Sequence, residues 1–172
     1  WLNQAYRITK RGGYLVCFVD WRQLPALTDA VQSAGFVWRG VEVGEKPVGG
    51  KRPRMGGFKQ QSEYMVWATK GNAPRQRSDG NTIYLPGVFS ERLPAHTKQH
   101  MTQKPFGLAQ EVMRLVTPGS VVLDPFAGSG TFLAAAKQAG HHWIGCEIEP
   151  TYYKVAQERL AQAVAQKEKN AA

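Results

Sequence analysis

The sequence predicts an α/β fold on three observations. Apolar runs of strand length alternate with stretches of helical spacing, glycines close most of those stretches, and one strand passes into a helix through a glycine turn. At 172 residues the chain is expected to form one domain, 1–172. Its 42% hydrophobic and 20% charged residues are ordinary for a globular protein. No apolar run approaches the roughly 18 residues of a membrane span, and no secretory leader is recognised.

Leu2 to Lys10 reads as the end of an amphipathic helix that Arg11-Gly12-Gly13 stops. Tyr14 to Val19 is a continuous apolar run, expected to be a strand buried on both faces. Leu24 to Ala34 places Leu24, Leu27 and Val31 on one helical face; Gly35 ends it, and Phe36 to Val43 is the next strand. Gly44 to Gly57 is a Gly, Pro and basic loop, and Glu63 to Thr69 a strand. Residues 71–99 lack a period and contain Pro74, Pro86 and Pro94, so an irregular, target-recognition type insertion is expected there. Phe106 to Val116 is helical, Val121 to Leu123 a short strand, Thr131 to Ala139 a helix and Trp143 to Ile148 a strand. Pro150 opens the last helix, expected from Thr151 to about Ala165, with a frayed tail. Trp21, Trp38 and Trp67 are expected in the core. Cys17 and Cys146 are expected as buried free thiols of a reducing compartment.

The formal net charge is +9, and between Arg39 and Arg77 nine Lys/Arg face three Glu. Phosphate contacts and counterion release would draw a polyanion to such a segment; a solvated, solubilising surface is the other reading.

The segment from Val121 to Glu147 carries the chemistry. A buried strand ends in an acid, Asp124; Gly128 and Gly130 follow; a helix begins; and a second acid, Glu147, ends the next strand 23 residues on. Glycines let backbone approach a ligand, and that spacing resembles the one that puts a carboxylate on a ribose. An adenosine-containing ligand is implied. Leu133 stands where a nicotinamide fingerprint needs its third glycine, and no lysine follows Gly130 as a P-loop requires. Asp124 would repel a pyrophosphate but suits an ammonium or sulfonium cation. S-adenosylmethionine has adenosine, both cations and no phosphate.

Asp124-Pro-Phe-Ala-Gly-Ser-Gly-Thr131 resembles the cofactor motif of amino-group DNA methyltransferases, which modify adenine N6 or cytosine N4. His100-Met-Thr-Gln-Lys-Pro105 is similar to their His-Pro-Thr-Gln-Lys-Pro element, with Met101 in place of proline. Gly145 to Pro150, followed by Tyr152 and Tyr153, is similar to their second cofactor segment, and Glu63 to Gly71 to the late strand before their target-recognition region. The order is that of the circularly permuted, β-type members. The resemblance implies an S-adenosylmethionine-dependent methyltransferase (Rossmann-like) three-layer sandwich, incomplete at its N-terminus. It implies that Asp124, Phe126, Gly128 and Gly130 surround the methionine part of the cofactor. Glu147 would hold the ribose hydroxyls with Ile148 beside the adenine, and His100, Thr102, Lys104 and Pro105 would line the opposite wall. For Phe126 a place in the core is the alternative. Lys51, Arg52, Arg54, Arg75 and Arg77 would meet double-stranded DNA. No metal site and no membrane are implied; the expected setting is the cytoplasm of a bacterial or phage-encoded system, with oligomeric state, homodimer included, left open.

The family's catalytic Asp/Asn/Ser-Pro-Pro-aromatic motif has no counterpart, since no Pro-Pro occurs in the chain. It is expected upstream of Trp1, on a strand between those at Val121 and Tyr14, so no catalytic residue is assigned. Methyl transfer to an exocyclic amino group of DNA, adenine N6 ahead of cytosine N4, is the function expected of the parent enzyme. An RNA methyltransferase and a catalytically incomplete DNA- or cofactor-binding remnant are the alternatives.

Overall fold

The computed structural model describes residues 1–45, 56–73, 82, 84–90 and 104–169, with side chains given as far as residue 163. The chain forms two compact units, Trp1–Arg92 and Leu93–Ala172. The insertion expected at 71–99 falls mostly outside the described residues. Among those described, no helix is long and apolar enough to cross a membrane.

In the first unit, helix α1 (Leu2–Ile8) leads into strand β1 (Tyr14–Val19). A 3-10 turn, Trp21–Gln23, precedes α2 (Leu24–Ser33), whose Pro25 lies in the first turn, where its missing N–H costs nothing. Strands β2 (Val37–Glu45), β3 (Ser62–Thr69) and β4 (Val88–Ser90) follow. The sheet order is β1-β3-β2-β4. β3 runs antiparallel to both neighbours, and β2 pairs parallel with β4. The core gathers Leu2, Val31, Phe36 and Ala68, with Tyr6, Leu15 and Leu27 packed against it. The Tyr6 and Phe36 rings meet edge to face at 5.0 Å, a favoured aromatic geometry.

Three expectations change here. β1 is half-buried along its whole length rather than buried on both faces, because β3 is its one partner among the described residues. Trp21 and Trp38 are 52% and 41% exposed, not core. Trp21 sits in the 3-10 turn, off the packed face of α2. Trp38 adjoins an irregularity in the β2–β3 register and turns its indole N–H to the Gly40 carbonyl at 3.0 Å. Trp67 is half-buried, stacked near Tyr14 and donating to Glu42 at 2.9 Å.

The second unit holds α3 (Phe106–Met113), β5 (Val121–Asp124), α4 (Thr131–Gln138), β6 (His142–Gly145) and α5 (Pro150–Lys169). β5 and β6 pair in parallel, Val121 with His142 through Asp124 with Gly145, joined by α4 as a βαβ crossover. Leu133, Ala134, Leu160 and Ala163 form its core, with Phe106 and Ala127 packed on them. Short side chains along α4 let α5 approach closely: Ala134, Ala135 and Ala136 are all buried. β6 stops at Gly145, three residues before the expected end. Cys146 is exposed rather than buried, as are all four residues of β6 before it. Cys17 is a half-buried free thiol.

Candidate cofactor site

Both sequence-predicted acids lie at the carboxyl edge of the β5–β6 sheet, where ligands bind in open α/β sheets. Asp124 is the last residue of β5. Its Oδ1 accepts the Phe126 N–H at 3.1 Å, which bends the chain out of the strand. The backbone then ties the two strand ends together: Cys146 N–H donates to the Asp124 carbonyl at 2.9 Å, and Ala127 N–H to the Cys146 carbonyl at 2.9 Å.

Glu147 does not end its strand; it lies two residues beyond β6. The turn folds its carboxylate inward, so that Oε2 accepts the Gly128 N–H at 2.7 Å and Oε1 the Glu149 N–H at 2.9 Å. The second acid therefore caps the glycine turn of the first. Asp124 titrates above its ordinary value. Burial is the largest cause, the Phe126 N–H opposes it, and the negative charge of Glu147 adds to it. The negative charge of Glu147 is thus felt at Asp124, as two neighbouring carboxylates repel.

The two glycines play different parts. Both have left-handed backbone, φ 52° at Gly128 and 73° at Gly130. A side chain at Gly130 would strike Ala156 of α5, 2.8 Å from its Cβ, so this glycine serves helix packing. A side chain at Gly128 would meet nothing within 4 Å, so that turn is open to a ligand. Phe126 is 65% exposed and Ile148 98% exposed, which removes the core reading of Phe126 and leaves two apolar surfaces beside the acids.

Lys104 and Pro105 immediately precede α3, half-buried, with Pro105 as its N-cap. His100, Thr102, Lys51, Arg52, Arg54, Arg75 and Arg77 lie outside the described residues. One group was not foreseen. Arg159 of α5 donates from one guanidinium nitrogen to the Ser129 hydroxyl at 3.1 Å and the Thr131 hydroxyl at 2.5 Å. Its sequence signal is an arginine at helical spacing from Ala156 and Ala163, on an otherwise apolar stripe.

A family model described as DNA methylase, of the N6/N4 type, matches residues 1–158. The chain is 31% identical over 160 residues to a methylase of Escherichia coli K12, YubD, covering 92% of this chain and 66% of that protein. It is 30% identical over 116 residues to the type II methyltransferase M2.DpnII of Streptococcus pneumoniae, covering 60% of this chain and 43% of that one. The chain thus spans less than two thirds of either relative. The solved complex of M1.HpyAVI with S-adenosylmethionine superposes with a TM-score of 0.79 at 28% identity, over 93% of this chain and 80% of that one. The expected Rossmann-like methyltransferase fold is therefore the fold observed, and the chain belongs to the N6/N4 DNA methylase family.

Proposed function

We propose that this chain forms the cofactor-binding part of an enzyme that transfers a methyl group from S-adenosylmethionine to an exocyclic amino group in double-stranded DNA, adenine N6 ahead of cytosine N4. One observation carries the reading: the Glu147 carboxylate holds the open turn at Gly128, and its negative charge is felt at Asp124, the acid that begins that turn. The donor set fits this cofactor. Asp124, held above its ordinary pKa by burial and a neighbouring charge, gains most from a cation; a phosphate would meet two carboxylates. Glu147 already orders the turn, and a carboxylate with about four acceptor sites can hold the loop and take ribose hydroxyls at once. Phe126 and Ile148 offer apolar contact to the adenine and the methionine chain, and Lys104 and Pro105, with His100 and Thr102, are assigned to the facing wall.

When bound, the cofactor supplies a methyl group on a sulfonium centre. The work of these residues is positional: fixing the cofactor along one line lets the target nitrogen attack without a search in orientation. A base in a duplex must leave the stack to be reached. Lys51, Arg52, Arg54, Arg75 and Arg77 are proposed to hold the phosphates meanwhile.

The test is methyl transfer by the full-length protein from labelled S-adenosylmethionine to DNA, with nucleoside analysis of the product. Label in DNA that disappears with Asp124→Ala supports the reading. Full activity in that variant, or label in RNA alone, overturns it.

A further inference from the structure

We propose that Arg159 is the positioning residue of the cofactor turn, holding Ser129 and Thr131 so that Gly128 stays open to the ligand; this rests on the reading above. Glu147 fixes the turn at the Gly128 N–H, and Arg159 fixes the stretch that follows it. Gly128 and Gly130 both sit in left-handed backbone and carry no side chain, so Ser129 is the one side-chain handle between them. Arg159 grips that handle and the first residue of α4 at once. Ser129 and Thr131 are both buried, at 5% exposure, so the grip is made away from bulk water.

The chemistry of the contact is one-directional. A guanidinium donates and cannot accept, so both hydroxyl oxygens act as acceptors toward it and their own hydrogens must turn elsewhere. Arg159 thereby fixes hydroxyl orientation as well as backbone position. The electrostatics of α4 do not account for its placement. A cation at a helix N-terminus meets the positive end of the helix dipole, and burial already lowers the Arg159 pKa. The same face of α5 carries Ala156, three residues earlier, whose small side chain accommodates Gly130. Ala156 and Arg159 together make α5 a template for the loop: one shapes Gly130, the other holds the residues on either side of it.

The experiment compares wild type, Arg159→Met, Arg159→Lys, Ser129→Ala and the Arg159→Met/Ser129→Ala pair in the full-length protein. S-adenosylmethionine affinity is measured by calorimetry and KM for DNA by steady-state kinetics. Arg159→Met is expected to weaken cofactor binding about tenfold, the size of one charge-assisted hydrogen bond. KM for DNA should stay within about twofold, Arg159→Lys should recover part of the loss, and Ser129→Ala should add little to Arg159→Met. Wild-type cofactor affinity in Arg159→Met overturns the proposal, as does a parallel loss of DNA and cofactor binding, which marks general destabilisation. Should Arg159→Met not fold, Ser129→Ala combined with Thr131→Val decides: unchanged cofactor affinity there overturns it. A wild-type protein with no cofactor affinity would instead sink the functional reading itself.

Discussion

Gly128 donates its backbone N–H to Oε2 of Glu147 at 2.7 Å, which adds a side-chain tie to the backbone bonds that join the turn after one strand to the segment after the next. The bond matters because Gly128 has open space where a side chain would stand, whereas Gly130, two residues on, is packed against Ala156.

Gly128→Ala and Gly130→Ala should therefore separate. Both force alanine into left-handed backbone, at about 1 kcal/mol or more of strain. Gly130→Ala also pushes into α5 and should cost a further ~1–3 kcal/mol as overpacking. Gly128→Ala should unfold later in urea than Gly130→Ala yet lose at least as much cofactor affinity. Equal urea midpoints would contradict the packing argument.

Glu147→Gln should lower cofactor affinity by about 10- to 100-fold, from the loss of charged acceptors. It should also loosen the turn. A glutamine side chain can accept from one of the two N–H groups now served, Gly128 or Glu149, while its own amide turns toward the other. Calorimetric titration checks the first effect, and amide exchange at Gly128 the second.

Asp124 should impose opposite pH signs on the empty and loaded protein. Its folded pKa is raised, chiefly by burial, so in the empty protein its contribution to stability is full at acid pH and is lost as pH rises through that raised value. On the proposed role of Asp124, cofactor binding takes the carboxylate form, so affinity should fall as pH drops through the same value. Asp124→Asn should flatten both profiles, raise the melting temperature of the empty protein at neutral pH and weaken cofactor binding at least tenfold, as expected for a lost charged contact. Thermal melts and titrations across pH 4–8 check this; an unchanged affinity profile in the variant would contradict it.

In the first unit, Lys70 donates to the Tyr6 carbonyl at 2.6 Å and lies 4.4 Å from the Tyr6 ring centre, closing the end of α1. Lys70→Met should destabilise the protein by about 1–2 kcal/mol through the lost cap and cation–π contact. Urea unfolding measures it, and a change below ~0.5 kcal/mol would show the contact to be idle, as at an ordinary surface site.

The glycine turn was legible in the chain because its signal is local. Acid, glycine, glycine and second acid are each demanded by backbone geometry or charge within a few residues. Exposure was not legible. Trp21, Trp38 and Cys146 are apolar residues, and nothing in the sequence around them says which lies on an exposed strand or off a packed helix face. Phe126 could be assigned to core or ligand from sequence, and only its exposure removed the first.

By itself the sequence determined the α/β alternation and the glycine turn after Asp124, since strand period, helix stops and backbone geometry act over short spans. Tertiary structure alone decided that Glu147 caps the Gly128 turn from beyond its strand, that Gly130 yields to Ala156, and that Arg159 reaches the turn from another helix. These contacts join residues 19 to 30 positions apart. At such separations it is the pairing of β5 with β6 and the packing of α5 on α4 that select the partners, not local propensity.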